Sequence, residues 1–177
     1  MAPQDLYQKA LRFAGERHGS QKMPESDVSY MVHLSNVAME LLFAARHTDE
    51  FDLEFAIPVA LLHDLLEDTP TDYMEISDVF GHRVADAVQS LTRNEALPRE
   101  RQIPESLERI RRQPKEVWAV KLADRISNMQ EPPPGWNAEK RKLYQSAART
   151  ILKELNGGNP YLEARLQEKI DAYDEFL

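Results

Sequence analysis

The stretch Ala56-Ile57-Pro58-Val59-Ala60-Leu61-Leu62-His63-Asp64-Leu65-Leu66-Glu67-Asp68-Thr69-Pro70 decides how the chain folds. Its apolar run, Ala56 to Leu62, is the longest in the sequence and falls far short of the ~20 residues that span a bilayer. With Leu53 as its start the segment is expected to be one helix over 53–67, with Pro58 near the first turns and Pro70 forcing the end. His63 and Glu67 are four apart, as are Asp64 and Asp68, so each pair stacks on one side of that helix. Three carboxylates and an imidazole this close repel one another unless a cation sits among them. A solvated acidic helix end is the plainer alternative. The apolar run directly before His63-Asp64 argues against leaving that doublet in water.

Outward from this segment the periodicity is helical almost throughout. Leu6, Ala10, Phe13 and Ala14 form one apolar face after Pro3, and Val37, Ala38, Leu41, Leu42 and Ala45 mark a second helix starting near His33. Short helices are expected over 73–80 and 82–91, separated by Gly81. The two prolines and alternating charges of Thr92 to Pro104 predict a mobile loop. Lys115 to Met129 carries Trp118, Leu122, Ile126 and Met129 on one face and is broken by Pro132-Pro133-Pro134-Gly135. A helix from Asn137 or Ala138 to Leu155 stops at Gly157-Gly158, and Pro160 opens the last, to about Phe176. No segment alternates long enough for a strand. The expected fold is all-α, one domain over 1–177 built from roughly eight to ten helices.

Composition narrows the function. Of 177 residues, 42% are hydrophobic and 29% charged, ordinary for a globular protein, and the net charge of −8 repels nucleic-acid backbones and anionic membrane surfaces. Neither nucleic acid nor membrane is an expected partner, and an anionic small molecule needs cations supplied locally. The absence of cysteine removes thiolate metal sites, disulfides and cysteine nucleophiles. With no basic-then-apolar leader, the cytoplasm is the expected location. Composition fixes no oligomeric state.

Two further features bear on chemistry. In Lys121-Leu122-Ala123-Asp124-Arg125-Ile126-Ser127-Asn128-Met129, Asp124 and Asn128 share a helix face with Lys121 one turn behind. A plain i,i+3 ion pair between Lys121 and Asp124, worth ~0.3 kcal/mol, is the simpler account. His33, in Tyr30-Met31-Val32-His33-Leu34, stands at a helix start, where a cap or packed ring is the commoner role. His18, His47 and His82 are taken as structural.

The order of these pieces is more specific than any one of them. A histidine, a His-Asp doublet thirty residues on and a distant helical aspartate resemble the HD phosphohydrolase superfamily. His18-Gly19-Ser20-Gln21, Tyr30 before His33, Leu61-Leu62-His63-Asp64, Glu67-Asp68-Thr69, Phe80-Gly81 and Lys121-Leu122-Ala123-Asp124-Arg125 resemble the hydrolase domain of RelA/SpoT proteins. Pro134-Gly135-Trp136 and the helix through Tyr144 are similar to the stand-alone small alarmone hydrolases, the animal SpoT homologue among them.

The resemblance implies a compact helical HD fold in which His33, His63, Asp64 and Asp124 hold one divalent metal, Mn²⁺ in the family. The ligand chemistry alone also permits Zn²⁺, Fe²⁺ or Co²⁺. It implies hydrolysis of the 3′-pyrophosphate of ppGpp-type nucleotides, guanosine or adenosine, with Glu67 and Asp68 as the catalytic acidic pair that activates water. Asn128 would meet the ribose or its 3′-phosphate, and Lys140 and Tyr144 the distal phosphates and nucleotide. Family members place arginine where Met23 stands here, beside Lys22, and lysine where Glu95 stands, so both departures fall on substrate-facing positions. An HD-type phosphatase of another ribose phosphate such as NADPH, and a catalytically idle nucleotide-binding module, are the alternatives. A second, nucleotidyl-transferring domain is not expected in a chain of this length.

Overall fold

The computed structural model describes residues 2–177, and among them the regular structure is helical apart from one isolated antiparallel bridge between Lys22 and Ser29. The order is α1 (Pro3–His18), α2 (Met31–Ala45), α3 (Leu53–Leu62), α4 (Leu65–Asp68), α5 (Tyr73–Phe80), α6 (His82–Leu91), α7 (Arg99–Ile110), α8 (Lys115–Asn128), α9 (Ala138–Glu154) and α10 (Pro160–Ala172), followed by a 3₁₀ turn (Tyr173–Phe176). No helix among the described residues is long and apolar enough to cross a membrane.

Helix α3 is the axle of the fold. Every residue from Phe55 to Leu62 is buried, so after its first turn the helix has no wet face. It packs against α1, α2, α6 and α8. Asp52 starts it by accepting the Phe55 N–H at 3.0 Å.

The expected single helix over 53–67 is broken at the His-Asp doublet. Asp64 adopts φ −99°, ψ 0°, a bridge conformation, and α4 restarts at Leu65. The bend turns the residues after Asp64 out of register with α3, so Glu67 and Asp68 no longer follow its faces. Leu61, Leu62 and Leu65 are fully buried around the doublet, each worth ~1.5–3 kcal/mol, and anchor the bend on both sides.

The segment read as a loop through Pro104 is a loop only to Pro98. Helix α7 begins at Arg99 and carries Pro104 within it. Leu107 and Ile110 are buried and Ile103 packs against the core beside them, so an i, i+4, i+7 stripe exists beneath the alternating charges. The other expected helices are present within a residue or two, except that the last tightens to 3₁₀ geometry at Tyr173. Gly81, at φ +86°, lets α6 follow α5 without a spacer.

Candidate metal centre

Four elements meet at the centre. Helix α2 delivers His33, the end of α3 delivers His63, the bend delivers Asp64, and α8 delivers Asp124. His33 Nε2 lies 3.4 Å from His63 Nε2 and 3.6 Å from Asp64 Oδ2, and His63 Nε2 lies 2.9 Å from the same Asp64 oxygen. Asp124 Oδ1 is 3.5 Å from His33 Nε2 and 3.8 Å from His63 Nε2. The donor atoms of His33, His63 and Asp64 all fall within 4.8 Å of one another. Ligands about 2.1 Å from one ion stand roughly 3.0–3.4 Å apart for right-angle to tetrahedral arrangements. The His63–Asp64 and His33–His63 separations match that spacing, and the other pairs, at 3.5–3.8 Å, stand a few tenths of an ångström wider.

The outer contacts aim these donors inward. The Nδ1 of His63 is 2.8 Å from the Ala60 carbonyl, which fixes Nδ1–H as donor and leaves Nε2 facing the centre. His33 Nδ1 is 3.1 Å from Ser127 Oγ. Tyr30 donates its phenolic hydrogen to Asp64 Oδ2. Lys121 donates to Asp124 Oδ2 at 2.9 Å and Asn128 to Asp124 Oδ1 at 2.6 Å. The ion pair of Lys121 with Asp124 is therefore present, and it is part of the centre.

His33, His63 and Asp124 are buried, with 1%, 3% and 6% of their surface exposed. Burial alone would make the charged forms costly. Burial pulls the His63 imidazole down, but Asp64 and Asp124 outweigh it and hold His63 above its ordinary range. Burial likewise pushes Asp64 and Asp124 up, and their partners outweigh it: the His63 charge with hydrogen bonds from His33 and His63 holds Asp64 well below the usual carboxylate range, and Lys121 with the histidines beside it does so for Asp124. Two imidazoles and two ionised carboxylates without a thiolate suit a divalent cation of hard to borderline character.

The acidic pair separates after the bend. Glu67 turns to Arg93, which binds it through the guanidinium and, at 3.0 Å, through its backbone N–H. Asp68 accepts from Gln21 Nε2 at 2.9 Å, and Gln21 Oε1 is 2.8 Å from His18 Nδ1. Burial lifts the Asp68 carboxyl above its ordinary range, Gln21 opposing and Asp64 and Glu67 adding to the lift. His18, expected to be structural, thus belongs to a chain of contacts ending on the acidic pair, and its ring lies 5.0 Å from Tyr30. His47 and His82 stay apart from it, against Tyr161 and Ser77.

A cleft of about 480 Å³ abuts the centre, lined by Met23, Glu25, Ser127, Asn128, Trp136 and Tyr144 among others. Ser127 and Asn128 are shared, since each also contacts a residue of the centre. Glu25 ties one wall to the other by accepting the Gly135 N–H at 2.9 Å. Trp136 and Tyr144 meet edge to face at 4.9 Å, and Lys140 Nζ lies 4.2 Å above the Trp136 ring. Of the expected substrate residues, Met23, Asn128 and Tyr144 line this cleft, Lys140 reaches it through Trp136, and Lys22 is exposed on the bridge to Ser29. Tyr30, Gln21, Arg93 and Ser127 were absent from the residues the sequence singled out as the site.

Comparison with known proteins places the chain. The HD domain family profile matches residues 10–155. The guanosine-3′,5′-bis(diphosphate) 3′-pyrophosphohydrolase MESH1 of Danio rerio is 35% identical over 168 residues, covering 90% of this chain and 89% of the relative. The Drosophila melanogaster protein of that name is 28% identical over 94% of this chain and 93% of its own. A solved structure described as a metazoan orthologue of SpoT that hydrolyses ppGpp superimposes with a TM-score of 0.82 at 28% identity, covering 97% of each chain. The family profile over residues 10–155 and the matching helical fold show that the chain belongs to the HD domain family.

Proposed function

We propose that this protein is a metal-dependent hydrolase that removes the 3′-pyrophosphate from guanosine 3′,5′-bis(diphosphate) and related alarmones, acting in the cytoplasm on a small nucleotide. The observation that carries it is the cluster of His33, His63 and Asp64, with Asp124 Oδ1 3.5 Å from His33 Nε2 and 3.8 Å from His63 Nε2, beside a cleft lined with aromatic and amide side chains. MESH1 relatives that span nine-tenths of the chain carry the matching activity in their names.

His33, His63, Asp64 and Asp124 would hold the cation, with Mn²⁺ the proposed identity. A divalent ion there supplies charge neutralisation at the attacked phosphorus and makes water a better nucleophile at neutral pH. The chain's own groups do the rest. Tyr30, Ser127 and the Ala60 carbonyl orient the donors, which costs no reorganisation when substrate arrives. Of the acidic pair, we assign the general-base role to Asp68: its hydrogen bond from Gln21, which fixes one carboxylate oxygen, and its raised proton affinity support the assignment. Asn128 offers its amide oxygen to the ribose while its nitrogen steadies Asp124. Trp136 and Tyr144 give the base apolar faces, with Met23 beside them, and Lys140 and Lys22 add positive charge near the cleft.

The test is turnover of ppGpp by Mn²⁺-supplemented protein, with pyrophosphate and single phosphate scored separately and NADPH run alongside. Pyrophosphate release from ppGpp supports the proposal. Single-phosphate release from NADPH alone replaces it with a phosphatase.

A further inference from the structure

Arg93 stands in the loop between α6 and α7 with its guanidinium turned onto Glu67. Nε donates to Glu67 Oε1 at 2.7 Å, Nη2 meets the same oxygen, and the Arg93 backbone N–H takes Oε2. The pair is lopsided: the Glu67 side chain is 11% exposed, the Arg93 side chain 53%. A guanidinium carries five N–H donors in a rigid fork, and Glu67 occupies one edge of it. Glu67 takes Nε and Nη2 and leaves Nη1 uncommitted on a side chain that is half exposed.

The root of this loop is held firmly. Arg109 donates to the carbonyls of Gln89 and Thr92, each at 2.7 Å, and is itself clamped by Glu105. Glu67 is three residues beyond Asp64, so its grip brings Arg93 to the edge of the metal centre, and the Arg93 charge reaches Asp64, Asp68 and Tyr144. Of the other cations nearby, Lys121 is paired with Asp124, Lys140 leans on the Trp136 face, Lys22 is exposed on the bridge to Ser29 and Arg125 is buried beneath the Tyr144 ring, whereas Arg93 is bound to the acidic pair itself. A chain of net charge −8 needs such a cation at the mouth of a site for polyphosphates.

We propose that Arg93 is a phosphate-binding residue of this site, aimed by Glu67 and reaching a phosphoryl group of the nucleotide with the guanidinium edge that Glu67 leaves free. Glu67 is then a positioning residue, and the two members of the acidic pair have different tasks. The inference rests on the hydrolase reading above. It accounts for a carboxylate beside the centre that is bound from two directions by a residue 26 positions away.

Inorganic pyrophosphate binding to the metal-loaded protein, followed by calorimetry, tests this. Arg93→Ala and Arg93→Gln are each expected to weaken binding about 10-fold or more, as loss of a charge-assisted contact does. Glu67→Gln is the deciding variant. Removing a negative charge near a phosphate site should by itself tighten binding, whereas losing the aim of Arg93 weakens it. The expected result is weaker binding by about 3-fold or more, with the double variant no weaker than Arg93→Ala, the signature of residues acting as one unit. Tighter or unchanged binding in Glu67→Gln, or unchanged binding in both Arg93 variants, overturns the inference. Hydrolysis of ppGpp by wild type is measured separately. Arg93-dependent binding without hydrolysis defeats the hydrolase reading alone, and hydrolysis with Arg93-independent binding defeats this inference alone.

Discussion

Tyr30 donates its phenolic hydrogen to Asp64 Oδ2, the oxygen that lies 2.9 Å from His63 Nε2. Burial and the Asp64 charge push the Tyr30 phenol far above its ordinary value, so it remains a donor at any physiological pH. The contact crosses 34 positions and joins the start of α2 to the bend after α3. Tyr30→Phe keeps the ring against His18 and His33 and removes only the hydroxyl. Metal affinity is expected to fall ~10-fold with little change in melting temperature, as loss of an outer partner does. Competition with a fluorescent chelator measures it.

Loss of a ligand is costlier. His63→Ala or Asp124→Ala removes one of four donors and strands the charges that remained balanced around it. Each variant is expected to emerge from desalting without bound cation and with nearly all hydrolysis gone. Wild type treated with excess chelator should lose activity in the same way and recover when the divalent ion is returned. Metal analysis before and after chelation, paired with turnover, checks both outcomes.

Asp68 and Gln21 separate chemistry from its support. Asp68→Asn keeps the shape and the ligands and removes the base, so kcat is expected to fall by ~10² or more while metal content holds. Gln21→Ala leaves the carboxylate but frees its orientation, for a smaller loss of ~10-fold. Steady-state kinetics with metal quantified in the same samples distinguishes the two. Ordinary turnover in Asp68→Asn moves the base elsewhere.

The difference between what the sequence disclosed and what it withheld follows sequence distance. The helix stripes of α1, α8 and α9 repeat within four residues, so their existence is visible locally. His63-Asp64 stood out because two ionisable groups directly follow a run that must be buried. The break at Asp64 was not visible, since the apolar pattern continues through Leu65 and Leu66 and nothing local marks the φ/ψ change. Helix α7 was hidden because charges alternate over its exposed face and Pro104 reads as a breaker, while only Ile103, Leu107 and Ile110 carry the stripe. Partners of the centre come from far away: Ser127 is 94 positions from His33, Gln21 is 47 from Asp68 and Arg93 is 26 from Glu67. Helical periodicity says nothing about such pairs, which only the packing of α1, α2, α4, α6 and α8 brings together.

On the proposed function, base preference is expected to be set in the cleft, where Met23 faces the same space as Asn128, Trp136 and Tyr144. A thioether gives a purine an apolar, polarizable contact worth ~0.3–1.5 kcal/mol and donates no hydrogen bond. Arginine at this position would both stack and donate. Lys22, next to it, is exposed on the bridge to Ser29 and does not line the cleft. The aromatic pair Trp136–Tyr144 offers ring surface to either purine alike. Sites that read a base by stacking discriminate weakly, whereas sites built to hydrogen-bond it discriminate strongly. Adenosine 3′-pyrophosphates are therefore expected to be cleaved comparably to their guanosine counterparts, and Met23→Arg is expected to shift the ratio toward guanosine. The measurement is kcat/KM for ppGpp and ppApp in both proteins. A wild-type preference for ppGpp above ~100-fold would correspond to ~2.7 kcal/mol of discrimination, more than a methionine contact supplies, and would place guanine recognition on another residue of the cleft.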